Sequence, residues 1–513
     1  MPLTRREFLW ATAASSLLLP ASLRAQETGP IVFQHGVASG DPLTRRVILW
    51  TRVTTPQTRG AAGPVTVDWQ IATDEAMSRV VGRGTTMATA DRDFTVKVDA
   101  AGLEPGRIYY YAFTAGAQRS PIGRTRTLPV GGVTRVRLAL ACCANYPAGY
   151  FNPYRCIANR DDLDAVVHVG DYIYEFANGV YGDGTALSRI PAPPGEAVTL
   201  EDYRLRYATY RRDQDLQAVH ARHPFIVVWD DHELANDAWS GGAVNHNPEA
   251  GEGDWPTRQA AAYRAYREWL PIRETAGQQI HLYRSFRFGS LADLIMLDTR
   301  GLRSQQAAGD DMARITSPQR TMLGAAQETW LFEELRASQR AGSAWRVLGQ
   351  QLMFSRLSFP DSPVPMVDSW DGYQSARTRL FDFFASQKIG DVAILSGDAH
   401  SSWAFDVTNN PWNGYTARSG AGSVAVELVA PAVSSPPLFS DARLRDGMTA
   451  LRYLLPHLKY MEGDSRGYVL VDITPKQLRA DWYHVPGVLE RSPAEQAAAS
   501  FVCERGSAHL APA

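Results

Sequence analysis

The sequence predicts a layered α/β domain preceded by a small β-sandwich. Short β-rich runs alternate with turn residues from residue 31 to 130. From residue 133 onward, buried-looking strands are instead separated by segments long enough for helices. The chain has 513 residues, of which 45% are hydrophobic and 21% charged, so it can bury a large core and divide into more than one structural unit.

The chain begins with a segment typical of an export signal. The pair Arg5 and Arg6 precedes an apolar run to Leu19, and small residues end at Ala25. The pair resembles a twin-arginine signal, which a receptor reads; an ordinary signal peptide with an accidental pair is the alternative. We therefore exclude residues 1–25 from the fold and expect a periplasmic or secreted protein carried by the twin-arginine export machinery. No later apolar run is long enough to span a bilayer, so we expect no transmembrane anchor in the mature chain.

Residues 31–130 are predicted to form the sandwich. The turn from Leu103 into Tyr109 resembles the entry to a late strand in fibronectin-like and immunoglobulin-like domains, where a tyrosine hydroxyl bonds back to the corner. We expect the tyrosines of this strand to be structural. The runs that predict strands cover residues 46–50, 65–71, 94–98 and 108–113.

Residues 133–485 are predicted to form the α/β domain. Apolar runs predict strands at residues 136–141, 165–169, 225–229, 294–297 and 392–395. Apolar and charged residues mixed at helical spacing predict helices at residues 201–212, 257–269, 317–339 and 373–386. The segment 486–513 is an alanine-rich tail to which we assign no chemistry, and whether it covers the site is left open.

Charge and cysteine content exclude two other classes of protein. A formal net charge of -2 provides no basic surface for a polyanion, so a stable nucleic acid complex is not expected. Four cysteines are too few for a scaffold held together by disulfides. One long-range disulfide, between Cys156 and Cys503, remains open.

Polar residues crowd at the carboxyl ends of several predicted strands. Open α/β sheets bind their ligands beyond these strand ends, so clusters from distant parts of the chain can converge there. The repetition of this pattern is the strongest signal in the sequence. The clusters are Cys143-Ala-Asn, Gly170-Asp-Tyr-Ile-Tyr-Glu, Asp230-Asp-His-Glu and Gly397-Asp-Ala-His.

Such clusters can support phosphate-ester hydrolysis. Two metal ions about 3.5–4 Å apart activate a hydroxide and clamp the in-line displacement at phosphorus. Asp171, which follows a glycine at a strand end, is suited to bridge the two ions. Tyr174 can return to the same ion, where a phenolate favours a trivalent metal such as iron, and Cys143 as a thiolate would stabilise that ion further.

Asp231 and Asp398 offer a different set of ligands on the other side of Asp171. Both are carboxylates, and a site with oxygen ligands alone suits calcium, magnesium or manganese rather than zinc or copper. His400 stands two residues after Asp398, an offset that lets one loop place a side chain on each metal.

The ordered series of motifs resembles the alkaline phosphatase D (PhoD) family, relatives of the purple acid phosphatases within the binuclear metallophosphoesterases. The resemblance covers nearly the whole mature chain. A single matching tetrapeptide would be weak evidence for this family, but the series of motifs in this order is highly specific for it. The matching motifs are Gly36-Val-Ala-Ser-Gly-Asp-Pro, Ala141-Cys-Cys-Ala-Asn-Tyr, Gly170-Asp-Tyr-Ile-Tyr-Glu, Trp229-Asp-Asp-His-Glu, Leu297-Asp-Thr-Arg, Gly349-Gln-Gln and Ser396-Gly-Asp-Ala-His-Ser-Ser-Trp.

The resemblance implies a metallophosphoesterase fold and a ligand set for each metal. Asp171 bridges the metals, and His232 is implied as the residue that stabilises charge or protonates the leaving oxygen. A second calcium is compatible with the resemblance, without assigned ligands. The implied ligands are Cys143, Asp171, Tyr174 and His400 for Fe(3+), and Asp171, Asp231 and Asp398 for Ca(2+).

Two assignments have alternatives. Position 142 is cysteine where a small residue such as serine is expected, so the iron ligand could be either neighbour. Strand alternation points the two side chains in opposite directions, and we favour Cys143 because it aligns with the cysteine of the family. Arg300 and Arg303 either bind phosphate or form ion pairs that stabilise the fold.

The resemblance implies an exported alkaline phosphatase and phosphodiesterase that hydrolyses small phosphate esters with a metal-activated hydroxide. One alternative is a phosphodiesterase specialised for phospholipid head groups or teichoic acids. An alternative from another class is an exported binding protein whose metals are structural. Metal-dependent turnover separates this last alternative from an enzyme, because a catalytic site keeps a coordination position open.

Overall fold

A computed structural model describes residues 32–54, 63–274, 282–437, 451 and 453–513. The export signal predicted for residues 1–25 lies outside the described residues. Of the helices in the described part, none is both long enough and apolar enough to cross a membrane.

The described residues between 32 and 128 form two layers around a common core. Val37, Leu49 and Val96 of one layer pack in the same apolar cluster as Val67 and Tyr111 of the other. Within the described residues, the second layer is an antiparallel sheet in the order β4-β3-β6-β7, with β8 also paired to β6. The strands are β1 (Val37–Gly40), β2 (Arg46–Arg52), β3 (Val65–Ala72), β4 (Val80–Ala88), β5 (Thr95–Ala101), β6 (Ile108–Ala115), β7 (Gln118–Arg119) and β8 (Gly123–Arg126).

The turn into β6 has the geometry expected from the sequence. The hydroxyl of Tyr109 accepts a hydrogen bond of 2.8 Å from the backbone N–H of Glu104. Tyr109 and Tyr111 are buried. These tyrosines therefore serve the structure of the turn and of the core.

In the described residues between 136 and 396, strands are interspersed with helices, which confirms the predicted α/β class. The strands are β9 (Val136–Ala141), β10 (Ala165–His168), β11 (Pro224–Val227), β12 (Arg284–Phe288), β13 (Ala292–Met296), β14 (Trp345–Gly349), β15 (Val392–Ser396), β16 (Ser402–Val407), β17 (Ala425–Val429), β18 (Leu458–Glu462), β19 (Arg466–Ile473), β20 (Gln477–Val485), β21 (Gln496–Glu504) and β22 (Leu510–Pro512). The helices are α1 (Asn152–Ala158), α2 (Leu200–Tyr210), α3 (Gln214–Arg222), α4 (Trp255–Trp269), α5 (Met312–Ile315), α6 (Gly324–Arg340) and α7 (Gln374–Gln387).

The four predicted helices correspond to α2, α4, α6 and α7. Side-chain caps define where two of them begin. Thr199 and Asp202 form a reciprocal capping box at the start of α2, and Asp254 accepts from the backbone N–H of Thr257 at the start of α4. The shorter helices α1 and α3 were not predicted, because fewer than three turns carry little periodicity.

Two mixed sheets pack against each other in this region. In the described part, the larger has the order β22-β21-β20-β19-β9-β10-β11-β1-β2-β5 and the smaller has the order β12-β13-β14-β15-β17-β16-β18. Leu294 and Met296 of β13 face the core between the sheets, whereas Ile295 faces a second core that also contains Leu331 of α6 and Leu380 of α7. Alternation along the strands thus buries both faces of the smaller sheet.

The larger sheet crosses both boundaries that the sequence suggested. β1 pairs in parallel with β11, with Gly40 opposite Phe225, so the sheet continues from the region before residue 130 into the α/β region. At the other end, the tail 486–513 contributes β21 and β22, which pair next to β20. The tail is therefore an edge of the sheet.

The four cysteines lie within the described residues, and none forms a disulfide. The alternative of a bond between Cys156 and Cys503 is therefore not supported. The Cys156 sulfur lies 3.5 Å from the carbonyl oxygen of Pro493. Cys503 lies on β21, where its sulfur is 3.7 Å from the hydroxyl of Ser507.

Candidate metal centre

The predicted site residues follow strands of both sheets. Cys143, Asp171 and Asp231 follow β9, β10 and β11, which are neighbours in the larger sheet. Asp398 and His400 follow β15 of the smaller sheet. The structure brings these strand ends together, because parallel neighbours end at one edge and the two sheets pack face to face.

The first donor group combines sulfur, nitrogen and oxygen. One donor atom each from Cys143, Asp171 and His400 lies within 4.8 Å of the others. The hydroxyl of Tyr174 donates to Asp171 Oδ2 at 2.8 Å and lies 3.1 Å from His400 Nε2, while Ser435 donates to this hydroxyl at 2.7 Å. Tyr174 therefore extends the group to the four residues implied for the trivalent ion.

The second and third donor groups contain Asp231. Asp171, Asp231 and His232 form one of them, and Asp230, Asp231 and Asp398 form the other, each with donor atoms within 4.8 Å of one another. Asp171 thus belongs to both the first and the second group. This central position is the one that a bridging carboxylate requires.

Several buried oxygen atoms of these groups have no hydrogen-bond partner in the described structure. They are Oδ1 of Asp171, Oδ2 of Asp230 and Oδ1 of Asp231, the last of which lies 3.4 Å from the guanidinium of Arg300. An unpaired carboxylate oxygen in the interior is costly unless a cation neutralises it. These atoms, together with the thiol, phenol and imidazole of the first group, fit bound metal ions.

The pKa values of two donors indicate the same need for positive charge. Burial, together with the neighbouring Cys142 thiol, raises the pKa of Cys143 well above its usual value. Burial also raises the pKa of Asp398 to about 6, although the charge of Arg300 opposes this. A bound cation would favour the thiolate and the carboxylate that burial disfavours.

The loops that carry the donors have constrained backbones. Cys143, Asp171, Asp398 and His400 have φ between 50° and 61°, in the left-handed region. Such conformations are uncommon for residues other than glycine and cluster at functional sites. Gly170, with φ 108°, approaches the loop after β11 so closely that an added Cβ would lie 2.3 Å from Cβ of Asp230.

Glu233 holds two of these loops together, a role that the sequence analysis did not assign. Its carboxylate accepts backbone hydrogen bonds from Tyr172 at 2.5 Å, from Asp230 at 2.7 Å and from Asp171 at 3.1 Å. Because Asp171 and Asp230 follow different strands, this single side chain fixes their spacing. The acidic residue at the end of the Asp-Asp-His-Glu motif was the available signal.

His232 points into the second donor group and has an acidic partner. Its Nδ1 lies 2.8 Å from Oε2 of Glu175, while the Tyr174 ring stacks on the imidazole at 4.1 Å. Burial acts to lower the pKa of His232, but Glu175, Asp231 and Asp171 raise it well above its usual value. These carboxylates favour the protonated imidazole, and Glu175 is a second residue that the sequence analysis left without a role.

The orientation of His400 is set by a carbonyl group. Its Nδ1 lies 3.0 Å from the carbonyl oxygen of Pro436 and 2.9 Å from the hydroxyl of Tyr181. A carbonyl oxygen only accepts, so Nδ1 carries the proton. This leaves Nε2, the atom that faces Tyr174 and Asp171, as the nitrogen available to a cation.

The structure decides between the two roles considered for Arg300 and Arg303. Both side chains are fully buried. The guanidinium of Arg300 contacts Asp230, Asp368, Asp398 and Asp231, and Arg303 donates to Asp368 at 2.6 Å. In the described structure these arginines form ion pairs with carboxylates, the second of the two roles.

Mixed α/β sheets whose strand ends carry buried thiol, phenol, imidazole and carboxylate groups define a metal-dependent enzyme. Residues 138–482 match the model of the PhoD-like phosphatases, and residues 18–129 match that of the N-terminal domain of PhoD-like phosphatases. The chain belongs to the PhoD-like phosphatase family and is a phosphoric ester hydrolase.

Two relatives show how far the similarity extends. Alkaline phosphatase D of Bacillus subtilis (strain 168) is 38% identical over 496 residues, which cover 93% of this chain and 82% of the relative. A solved structure of PhoD superposes with a TM-score of 0.84 at 36% identity and covers 94% of this chain and 92% of that one. These similarities contradict the alternative of a binding protein with merely structural metals.

Proposed function

We propose that the chain is an alkaline phosphatase and phosphodiesterase with an iron-calcium centre. Fe(3+) would be held by Cys143, Asp171, Tyr174 and His400, and Ca(2+) by Asp171, Asp231 and Asp398. The observation that carries this proposal is the position of Asp171, which belongs both to a group with thiol and imidazole donors and to a group with Asp231. Thiolate and phenolate ligands favour the trivalent ion, whereas carboxylates favour calcium.

When bound by these residues, a metal pair would supply an acidified water and neutralise charge on the phosphoryl oxygens. The residues of the chain supply the rest. Asp171 positions its carboxylate between the donor groups, and the N–H groups that Glu233 binds hold it there. His232, paired with Glu175, would donate a proton to the leaving oxygen of the ester.

We extend the proposal to domain organisation and location. Residues 133–485 would form a metallophosphoesterase domain, residues 31–130 an immunoglobulin-like sandwich and residues 486–513 a C-terminal segment that completes the sheet. The twin-arginine machinery would deliver the folded protein to the periplasm or the exterior, where small phosphate esters are its substrates. The Arg5 and Arg6 pair and the shared core of the two N-terminal layers support these assignments.

The experiment that tests the proposal combines elemental analysis with hydrolysis. The exported protein would be analysed for iron, calcium, magnesium, manganese and zinc, and then assayed with 4-nitrophenyl phosphate and bis(4-nitrophenyl) phosphate before and after chelation. We expect about one iron per chain together with calcium, and loss of both activities on chelation. Protein that hydrolyses both esters without iron or calcium would contradict the metal assignment, and protein inert when fully loaded would contradict the activity.

A further inference from the structure

The candidate metal centre is divided between two sheets, and one guanidinium contacts carboxylates of both. Asp230 and Asp231 follow β11 of the larger sheet, whereas Asp398 follows β15 of the smaller sheet. Arg300 follows β13 of the smaller sheet and is 0% exposed. The side chain of Arg300 therefore lies between the two sheets, where the carboxylates of the third donor group meet.

The three guanidinium nitrogens of Arg300 are all engaged. Nη2 lies 2.8 Å from Oδ1 of Asp398 and 3.4 Å from Oδ1 of Asp231. Nε donates to Asp230, and Nη1 donates to Asp368. A planar fork can hold these carboxylates at fixed angles, whereas a lysine ammonium supplies the same charge without the fork.

Asp368 anchors the guanidinium of Arg300 through Nη1. Its Oδ1 accepts from Arg303 Nη2 at 2.6 Å and from Gln306 Nε2 at 2.5 Å. Arg303 is itself fixed through a hydrogen bond of 2.9 Å to the carbonyl oxygen of Ala238. The guanidinium of Arg300 is thus held in place by residues that are not members of the donor groups found in the described structure.

The contacts of Arg300 leave carboxylate oxygens available. Oδ2 of Asp230 has no hydrogen-bond partner in the described structure. The ion pair between Arg300 and Asp398 is made through Oδ1 of the aspartate. Asp230 and Asp398 can therefore each be oriented through one oxygen and offer the other to a cation. Asp231 is fixed differently, because its Oδ2 accepts from the backbone N–H of Asp237 at 2.5 Å while its Oδ1 faces Arg300. Groups that orient a ligand in this way contribute to metal affinity although they never touch the metal.

We propose that Arg300, anchored by Asp368, is a positioning residue that joins the two sheets and preorganises Asp230, Asp231 and Asp398 for a divalent cation. This inference rests on the proposed function of the same site. This positioning role differs from a general stabilising role, because it requires the planar shape of the Arg300 guanidinium and not only its positive charge. It also requires that the cation held by the oxygen donors depends on Arg300 more strongly than the ion held beside Cys143.

The test compares three variants of the full-length, metal-loaded protein. R300K keeps the charge and loses the fork, and D368N weakens the anchor. R377K is the matched control, because Arg377 is equally a buried arginine, whose hydrogen bonds run to the carbonyl oxygens of Phe354 at 2.9 Å and Thr408 at 2.8 Å. Each protein is equilibrated with increasing EGTA, and the retained calcium, magnesium, manganese and iron are measured by mass spectrometry, with folding checked by circular dichroism.

We expect the EGTA concentration that removes half of the divalent metal to fall about 10-fold to 100-fold in R300K, and by a smaller factor in D368N. Iron content should stay at the wild-type value, and R377K should match the wild type. If R300K and D368N retain divalent metal at the same EGTA concentrations as the wild type, the inference is overturned and the proposed function is not affected. Equal loss of iron and divalent metal, or the same loss in R377K, would also overturn it, because the effect would then be general. A wild-type protein without divalent metal would overturn it together with the proposed function.

Discussion

The imidazole of His232 and the carboxylate of Glu175 form a buried pair, with 2.8 Å between Nδ1 and Oε2. Glu175 is itself fixed, because its other oxygen accepts from the backbone N–H of Asn236 at 2.7 Å and from Asn245 at 3.0 Å. The pair thus engages Nδ1 of the imidazole, so Nε2 is the ring nitrogen that remains for another partner. This geometry suits a proton donor to a leaving oxygen.

The first prediction concerns the leaving group. In E175Q the imidazole loses the charge that holds its proton, so kcat should fall most for esters whose leaving oxygen needs protonation. We expect a loss of about 100-fold or more for phenyl phosphate and a much smaller loss for 4-nitrophenyl phosphate. E196Q is the control, because in the described structure Glu196 bonds to Asn245 and Arg258, whereas the hydrogen bond to His232 comes from Glu175. Equal losses for both esters would argue against proton donation by His232.

The second prediction separates the adjacent cysteines. Cys143 belongs to a donor group, whereas the Cys142 sulfur lies 3.8 Å from the carbonyl oxygen of Pro431 and 3.9 Å from that of Ala430. C143S should lose most of its iron, since an alcohol is a far poorer ligand than a thiolate, and C142S should keep the wild-type content. Elemental analysis of both purified variants checks this. The reverse result would assign the ligand to Cys142.

The third prediction concerns Glu233. E233A leaves three buried backbone N–H groups without their acceptor, and each unsatisfied donor costs about 1–3 kcal/mol. We expect the free energy of unfolding to fall by about 3 kcal/mol or more, with E233Q in between because one acceptor oxygen remains. Urea unfolding of chelated protein measures the difference. A loss that disappears on chelation would show that Glu233 acts through metal binding and not by holding the loops.

The fourth prediction is a pH dependence far from the metal centre. Burial acts to raise the pKa of Glu274, but Lys97, 2.6 Å away, and Arg92 lower it to about 2. A lowered carboxyl pKa stabilises the folded chain above the ordinary value of 4.5, and the contribution is lost as the pH falls towards 2.

E274Q should therefore lower the free energy of unfolding by about 1–3 kcal/mol at pH 7, and the difference from wild type should shrink below pH 4.5. Urea unfolding between pH 7 and pH 3 checks this. The control is E104Q, because the Glu104 side chain is 68% exposed beside Arg107 and such a pair contributes about 1 kcal/mol at most. A difference that does not vary with pH would contradict the prediction.

Local sequence patterns were sufficient to predict a buried strand and the longer helices. The apolar run at residues 136–141 became β9 without change, and the four longer helices were found within a few residues of their observed bounds, apart from the start of α6. The site was predictable for a related reason. Asp398 follows a strand of the smaller sheet, but Cys143, Asp171 and Asp231 follow neighbouring parallel strands of the larger sheet, which end at the same edge. Spacing along the chain therefore indicated proximity in space.

Pairing between distant segments decided the rest. β21 (Gln496–Glu504) has mostly small and polar residues and is a strand because β20 offers it a free edge. The partners Glu175 of His232 and Asp368 of Arg300 are separated from them by 57 and 68 residues, so no local spacing could assign them. The division of the metal centre between two sheets is likewise a result of packing. Residue types and their order determine which side chains can bind a metal, whereas tertiary contacts determine which oxygen of each carboxylate remains free to do so.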